Sequence, residues 1–205
     1  MLLSGVPGVG KSLTAESVAE EMRKPLYYMS AGELGEDASS VEQALEKVLE
    51  LNSRWGSILL LDECDIFLEA RTTADIHRNR MVSIFLKQLE YFRGVMFMTT
   101  NRVSAFDEAF ESRIHLAIDY PNLNAQNRLH IWRTFVGLQG DSPRYASELT
   151  EESLEILAKH DLNGRQIKNV VKTARLLAMQ KKAPLSIEHI EKVLTVKKDG
   201  VMTGL

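Results

Sequence analysis

The chain has 205 residues, 44% hydrophobic and 26% charged, proportions of an ordinary globular protein with material for one large or two small domains. Its formal net charge of −3 excludes a global basic field that would recruit nucleic acid; its single cysteine, Cys64, excludes an internal disulfide framework and fits a reducing, intracellular setting. No apolar run reaches the ~18 residues of a transmembrane helix.

The chain opens on an apolar run, residues 1–4, that reads as the end of a buried strand and leads straight into Gly5-Val6-Pro7-Gly8-Val9-Gly10-Lys11-Ser12. This segment matches the P-loop pattern G-x-x-x-x-G-K-[ST] at each fixed position. Its glycines let the backbone turn tightly with N–H groups facing inward. Lys11 brings a mobile positive charge to the β- and γ-phosphates, and the Ser12 hydroxyl can hold Mg²⁺. Apolar positions at helical spacing through residues 12–22 predict a helix behind the loop. Gly5, Val6, Pro7, Gly8, Val9, Gly10, Lys11, Ser12 and Leu13 then cradle phosphate at a helix N-terminus, where unpaired N–H groups and the dipole favour an anion. A P-loop domain normally carries residues ahead of this strand. The chain is therefore expected to be a piece of a longer protein, with any targeting or substrate-choosing segment upstream.

Further strands are predicted at residues 26–29, 57–61, 94–98 and 114–118, alternating with helical patterns, which argues for an α/β domain with a parallel sheet over residues 1–121. Tyr27 and Tyr28 lie in the first of these and read as packing residues. Ser40-Val41-Glu42-Gln43 has the form of a capping box, continued by Val41, Ala44, Leu45, Val48 and Leu49 as an amphipathic helix. A second helix is predicted over residues 78–91 with Met81, Ile84, Phe85 and Leu89 inward. After Pro121 the strand signal gives way to four helical patterns, marked by Leu129, Trp132, Phe135 and Val136; Leu154, Ile156 and Leu157; Ile167, Val170, Val171, Ala174, Leu177 and Ala178; and Ile187, Ile190, Val193 and Leu194. Residues 122–205 read as a small helical domain.

Residues 57–61 deliver two adjacent carboxylates, Asp62 and Glu63, in the Walker B arrangement, at the strand end where open parallel sheets bind ligands. Asp62 can orient Mg²⁺ through coordinated water and Glu63 can polarise an attacking water as general base. The strand at 94–98 ends in Thr99-Thr100-Asn101, placing the Asn101 amide where it can hydrogen-bond the γ-phosphate and that water. GTP is disfavoured because Asp62-Glu63-Cys64-Asp65 replaces the D-x-x-G switch and no N-K-x-D motif is present. ATP is the expected nucleotide. Cys64 reads as a small packing residue beyond a buried strand, and the five histidines show no metal-ligand spacing.

Together these residues resemble the AAA ATPase family, within the ASCE branch and AAA+ group of P-loop NTPases. The resemblance rests on the P-loop, Leu60-Leu61-Asp62-Glu63, Thr100-Asn101, Phe106-Asp107-Glu108-Ala109-Phe110-Glu111-Ser112-Arg113 and Asn163-Gly164-Arg165, and covers nearly the whole chain. More narrowly, the chain is similar to a group of fungal AAA proteins carrying FDEAFxSRIH and NGRQIKN. The resemblance implies a parallel sheet of order 5-1-4-3-2, a C-terminal helical lid and Mg²⁺-dependent hydrolysis of ATP. It also implies a homo-oligomeric ring, expected to be a hexamer, that remodels a macromolecular substrate, foremost a protein. Arg113 falls where the family places an arginine finger that reaches in trans into the neighbour's site. Arg165 falls at the sensor 2 position of the lid.

Some positions depart from the family pattern. AAA translocases place an aromatic-hydrophobic pair in the loop after the second strand, whereas residues 30–37 are acidic with no aromatic, which argues against threading. Glu111 and Ser112 stand where a second arginine is usual. Residues 71–80 are basic at the position of a second central loop, yet aromatic interleaving is absent and nucleic acid is disfavoured as a partner. Two alternatives to the remodelling ATPase are an ATP-dependent binding switch or scaffold with negligible hydrolysis and a nucleic-acid remodeller.

Overall fold

In a computed structural model of the chain, the structure describes residues 1–68, 75–102, 108–137 and 147–202. The Phe106-Asp107 part of the family motif and residues 71–74 of the basic loop lie outside the described residues. The chain divides into two compact units, Met1–Val6 with Gly10–Pro121, and Pro7–Val9 with Asn122–Leu205.

The first unit is built on five parallel strands, β1 (Leu2–Gly5), β2 (Leu26–Ser30), β3 (Ile58–Asp62), β4 (Val95–Thr100) and β5 (Ala117–Tyr120), in the order β2-β3-β4-β1-β5. Read from the other edge, this is the expected 5-1-4-3-2. Strands inside a parallel sheet are covered on both faces, which is why β3 reads as an unbroken apolar run rather than an alternation. Its side chains still point alternately. Leu59 and Leu61 join Leu2, Met96 and Met98 in one core. Ile58 and Leu60 join Leu3 and Phe97 in the other.

Small residues close the second of these layers. Helix α1 (Lys11–Glu21) lays Ala15 and Ala19 on the sheet, while Leu13 and Met22, which the helical spacing also marks as apolar, are exposed. The opposite face is covered by α2 (Ala38–Trp55) and α4 (Ile76–Tyr91), with the short α3 (Asp65–Leu68) and α5 (Glu108–Glu111) beside them. The buried stripe of α4 runs through Val82, Phe85 and Leu86, with Met81, Ile84 and Leu89 only partly buried beside it. Phe67 stacks on Phe85 at 4.7 Å between ring centroids, and Phe110 tilts against Phe85 at 6.1 Å.

Several boundaries differ from the sequence reading, two of them for a clear physical reason, and one turn is added. Helix α2 is capped by Asp37, whose carboxylate accepts from the Ser39 and Ser40 N–H groups at 2.9 and 3.0 Å. The expected cap, Ser40, donates its hydroxyl to that same carboxylate at 2.5 Å and lies inside the first turn. Strand β5 begins at Ala117, because Ile114 N–H closes a turn on the Phe110 carbonyl at 2.9 Å and its side chain packs into the core. Between β2 and α2, a 3₁₀ turn over Ala31–Leu34 is closed by Ser30 N–H donating to the Glu33 carboxylate at 3.0 Å. Two acids of the 30–37 segment, Glu33 and Asp37, thus cap backbone.

The second unit contains α6 (Ala125–Gly137), α7 (Glu151–Ala158), α8 (Gly164–Gln180) and α9 (Ile187–Met202). Its core joins Trp132 of α6, Leu154 and Leu157 of α7, Ile167, Val170, Val171 and Ala174 of α8, and Ile190 and Leu194 of α9. Ile156, expected inward, is 50% exposed. Helix α8 starts with a reciprocal capping box: Gln166 N–H donates to Asn163 Oδ1 at 2.8 Å, and Asn163 N–H to Gln166 Oε1 at 2.9 Å. Gly164 N–H donates to the carbonyl of Gly8 at 2.8 Å. Gly8 itself has φ +81° and no space for a Cβ, which would fall 2.7 Å from the Asn163 side chain. No helix among the described residues is long and apolar enough to cross a membrane.

Two expectations follow from the first core. Phe85→Ala removes the ring shared by Phe67 and Phe110 and should lower the unfolding free energy by about 3–5 kcal/mol, measured by urea denaturation. Cys64 is fully buried, and burial pushes its thiol well above the ordinary range. Ellman's reagent should therefore leave the native protein unlabelled and react with one equivalent of thiol only after denaturation.

Candidate functional site

The sheet order brings the carboxyl ends of β1, β3 and β4 side by side, and Lys11, Ser12, Asp62 and Asn101 meet there. Gly10 precedes α1 in left-handed backbone at φ +109° and, having no side chain, leaves the first-turn N–H groups without a capping oxygen. Such an uncapped, positive helix end favours an anion. Gly5, at φ +138°, passes so close to β5 that an added Cβ would lie 2.5 Å from the Tyr120 carbonyl. Val6, Pro7 and Leu13 are exposed, and Gly8, Val9, Gly10 and Ser12 are partly so.

Lys11 is 6% exposed, although its ammonium carries a charge. Oxygens converge on it: Nζ donates to the Gly5 carbonyl at 2.7 Å, the Val6 carbonyl at 3.0 Å and Asn101 Oδ1 at 2.9 Å. These acceptors offset the desolvation of the cation. The last bond also ties the P-loop of β1 to the polar end of β4. Asn101 is fixed from behind, since its N–H donates to Asp65 Oδ1 at 3.2 Å and Thr100 donates its hydroxyl to the same oxygen.

Ser12 Oγ lies 3.4 and 3.3 Å from the two carboxylate oxygens of Asp62. A hydroxyl and a carboxylate at this separation are hard oxygen donors of the kind Mg²⁺ takes, and the ion completes its shell with water and phosphate oxygens. Among the described residues no group of three or more His, Cys, Asp or Glu is placed to hold a metal. The pair Ser12 and Asp62 offers oxygen donors to an ion that takes its remaining ligands from water and phosphate.

Thr99 of β4 holds both acids of the Walker B pair. Its hydroxyl donates to Asp62 Oδ1 and accepts the Glu63 N–H at 3.1 Å, while its carbonyl accepts the Cys64 N–H at 2.9 Å. Glu63 is exposed and sits in left-handed backbone at φ +59°, a conformation that costs a non-glycine residue about 1–3 kcal/mol. Cys64, immediately after it, turns its Sγ toward the Leu61 carbonyl at 3.1 Å and packs in the core.

Arg113 follows α5, held in place because Phe110 is fully buried and its carbonyl accepts the Arg113 N–H at 2.9 Å. Its guanidinium binds within its own chain, to the Ala109 carbonyl at 2.9 Å, Ser112 Oγ at 3.2 Å and Glu90 Oε2 at 3.0 Å. Arg165, in the second unit, is exposed in the first turn of α8, two residues after the Asn163 cap. A cation there opposes the helix dipole by about 0.3–1 kcal/mol, so α8 gains no stability from it.

Three participants were missed from the sequence. Thr99 and Asp65 enter the sequence reading only as neighbours of Asn101 and of the Walker B pair. Tyr28, read as packing, is 56% exposed and donates its hydroxyl to Asp62 Oδ2 at 3.2 Å, whereas its neighbour Tyr27 does pack, 6.4 Å from Trp55 between ring centroids. Partial burial first, and the Asp62 carboxylate next, raise the Tyr28 phenol above its ordinary value. Strand alternation places Tyr28 on the face of Ser30, but its meeting with Asp62 follows from the register in which β2 pairs Ser30 with Asp62.

Comparison with known proteins agrees with this arrangement. The family described as "ATPase family associated with various cellular activities (AAA)" matches residues 1–122. Among similar curated proteins, the chain is 26% identical over 226 residues to "26S proteasome regulatory subunit 4 homolog B" of Arabidopsis thaliana, covering 100% of this chain and 49% of that protein. It is 30% identical over 194 residues to "ATP-dependent zinc metalloprotease FtsH 2" of Petrotoga mobilis (87% and 29%). It is 25% identical over 187 residues to "ATPase family AAA domain-containing protein FIGL1" of Arabidopsis thaliana (86% and 27%). The chain spans about half the length, or less, of these relatives. With the P-loop, the paired acids, the sheet order and the matched residues in agreement, the chain belongs to the AAA family of ATPases.

Proposed function

We propose that the chain binds ATP with Mg²⁺ and hydrolyses it to ADP and phosphate, as the motor module of a homo-oligomeric ring that remodels a protein substrate. The observation that carries the reading is the meeting of Lys11, Ser12, Asp62 and Asn101 at the ends of three neighbouring strands. Relatives named as proteasome regulatory subunit and ATP-dependent protease favour a protein substrate.

Lys11 and the loop N–H groups hold the β- and γ-phosphates; Ser12 and Asp62 would hold Mg²⁺, whose contribution there would be to neutralise phosphate charge. Asn101 orients the water, and Glu63 accepts its proton as the water oxygen bonds to the γ-phosphorus and the bridging P–O bond breaks towards ADP. Thr99 couples these tasks, because one hydroxyl orients Asp62 and fixes the Glu63 backbone. Arg113 of a neighbouring subunit stabilises the charge that develops, after leaving Glu90. Arg165 reports nucleotide state to the helical unit, a role favoured by its placement against the α8 dipole.

Glu63→Gln should retain ATP binding while turnover falls about 10²–10⁴-fold; unchanged turnover would remove Glu63 from the base role, whereas negligible turnover in the wild-type chain would favour the binding-switch alternative. Glu63→Asn, whose side chain tolerates left-handed backbone, should also lose turnover yet gain about 1 kcal/mol of stability, read as a rise in thermal midpoint. For Arg113, the wild-type specific activity should climb with protein concentration as rings form. Arg113→Ala should lower turnover by about 10³–10⁵-fold, or roughly 4–7 kcal/mol of barrier. Activity independent of concentration would rule out an arginine acting in trans.

A further inference from the structure

The geometry points to Tyr28 as a positioning residue for the metal-binding carboxylate: its hydroxyl fixes the orientation in which Asp62 meets the cation. The inference rests on the ATP-binding reading of the site and adds to it a residue outside the P-loop and the strand-end acids.

The Asp62 carboxylate is planar and turns as one body about the Cβ–Cγ bond, so a donor on each oxygen narrows its swing more than one donor alone. Strand β3 has β4 on one side and β2 on the other. From the β4 side Thr99 donates to Oδ1, and from the β2 side Tyr28 donates to Oδ2 at 3.2 Å. With the two oxygens held from opposite sides, Ser12 Oγ stands nearly equidistant from them, at 3.4 and 3.3 Å. The plane is thus set relative to the hydroxyl that shares the ion.

Tyr28 reaches this position only because of the sheet register. Ser30 is opposite Asp62 and Tyr28 opposite Leu60, so the tyrosine must run its ring about two residues along the strand for its hydroxyl to arrive. A shorter donor, serine or threonine, would not span that distance. The residue leaves more than half its surface in water and is absent from the apolar clusters of the sheet. Its hydrogen bond to Asp62, rather than packing, is what the position uses. Removing the hydroxyl leaves Oδ2 to hydrate and the carboxylate orientation to Thr99 on Oδ1, which weakens a metal site through its outer partners without removing a ligand.

Tyr28→Phe deletes one oxygen from an exposed side chain. The test compares the full 205-residue chain with its Tyr28→Phe and Asp62→Asn variants, using Mn²⁺ as probe with a non-hydrolysable ATP analogue. Bound Mn²⁺ is followed by electron paramagnetic resonance, nucleotide affinity is measured separately in EDTA, and the thermal midpoint is recorded. Tyr28→Phe is expected to raise the half-saturating Mn²⁺ concentration about 3- to 10-fold, less than the loss for a fully buried outer partner, with metal-free nucleotide affinity and thermal midpoint unchanged. If Tyr28→Phe matches wild type while Asp62→Asn weakens Mn²⁺, the Tyr28 assignment is wrong and the site reading stands. A fall in metal-free affinity and thermal midpoint parallel to the loss of Mn²⁺ would make the role structural and overturn the assignment. If Asp62→Asn also leaves Mn²⁺ binding unaltered, the metal site itself is misassigned and the inference goes with it.

Discussion

Burying the ammonium of Lys11 is the constraint from which much of this architecture follows. A cation taken out of water is costed at several kcal/mol unless oxygens replace its hydration. Here two of the replacements are carbonyls of the loop itself, Gly5 and Val6, and a third is the Asn101 side chain on another strand. For the first two to face inward, the chain must reverse within a few residues of β1, and glycine at positions 5 and 10, both with positive φ, permits it. For the third, β4 must lie beside β1, as it does in the sheet order. One charge therefore makes loop shape and strand neighbourhood mutually dependent.

A second dependence runs from β4 to β3. Thr99 occupies the gap between the two strand ends and serves Asp62 with its hydroxyl, Glu63 through the same oxygen and Cys64 through its carbonyl. Residues 62–64 are thereby held as the chain leaves the sheet, and the left-handed conformation of Glu63 is maintained by fixed groups on both sides of it. Phe67 and Phe110, stacked or tilted on Phe85, anchor the segments that follow the Walker B acids and precede Arg113. The reactive ends of the sheet are thus underpinned by a single aromatic cluster on one face.

How much of this could be read in advance depended on whether backbone or side-chain geometry set the position. The P-loop and the paired acids were legible because only particular residue types satisfy their backbone and charge demands, and the strand order followed from the family pattern. Edge features were less legible. Strand β5 is exposed at three of its four residues, so hydrophobicity drew the boundary towards Ile114, an inward residue of the preceding turn. At α2, Ser40 had the right chemistry for a cap, but Asp37 reaches the same N–H groups from one turn earlier. On α4 the apolar residues outnumber those that the narrow buried face can take, and spacing alone could not choose Val82 and Leu86 over Met81 and Ile84. Tyr28 was hidden for a different reason. Its partner lies on another strand, and only the register of β2 against β3 reveals the pair.

The position of β1 has a kinetic side. It is synthesised before every strand it pairs with, yet it lies between β4 and β5, where Leu2 meets Met98 and Ala117. Contacts so distant along the chain close late, after local helices and the adjacent β2–β3 pair have had time to form. Until β4 arrives, Leu2 and Leu3 have no apolar neighbours in the sheet and Lys11 has no Asn101. A nascent or partly folded chain thus carries the entire P-loop sequence without a formed nucleotide pocket. On the proposed reading, nucleotide binding would report that the sheet is complete, and the ligand would stabilise only molecules that have reached that point.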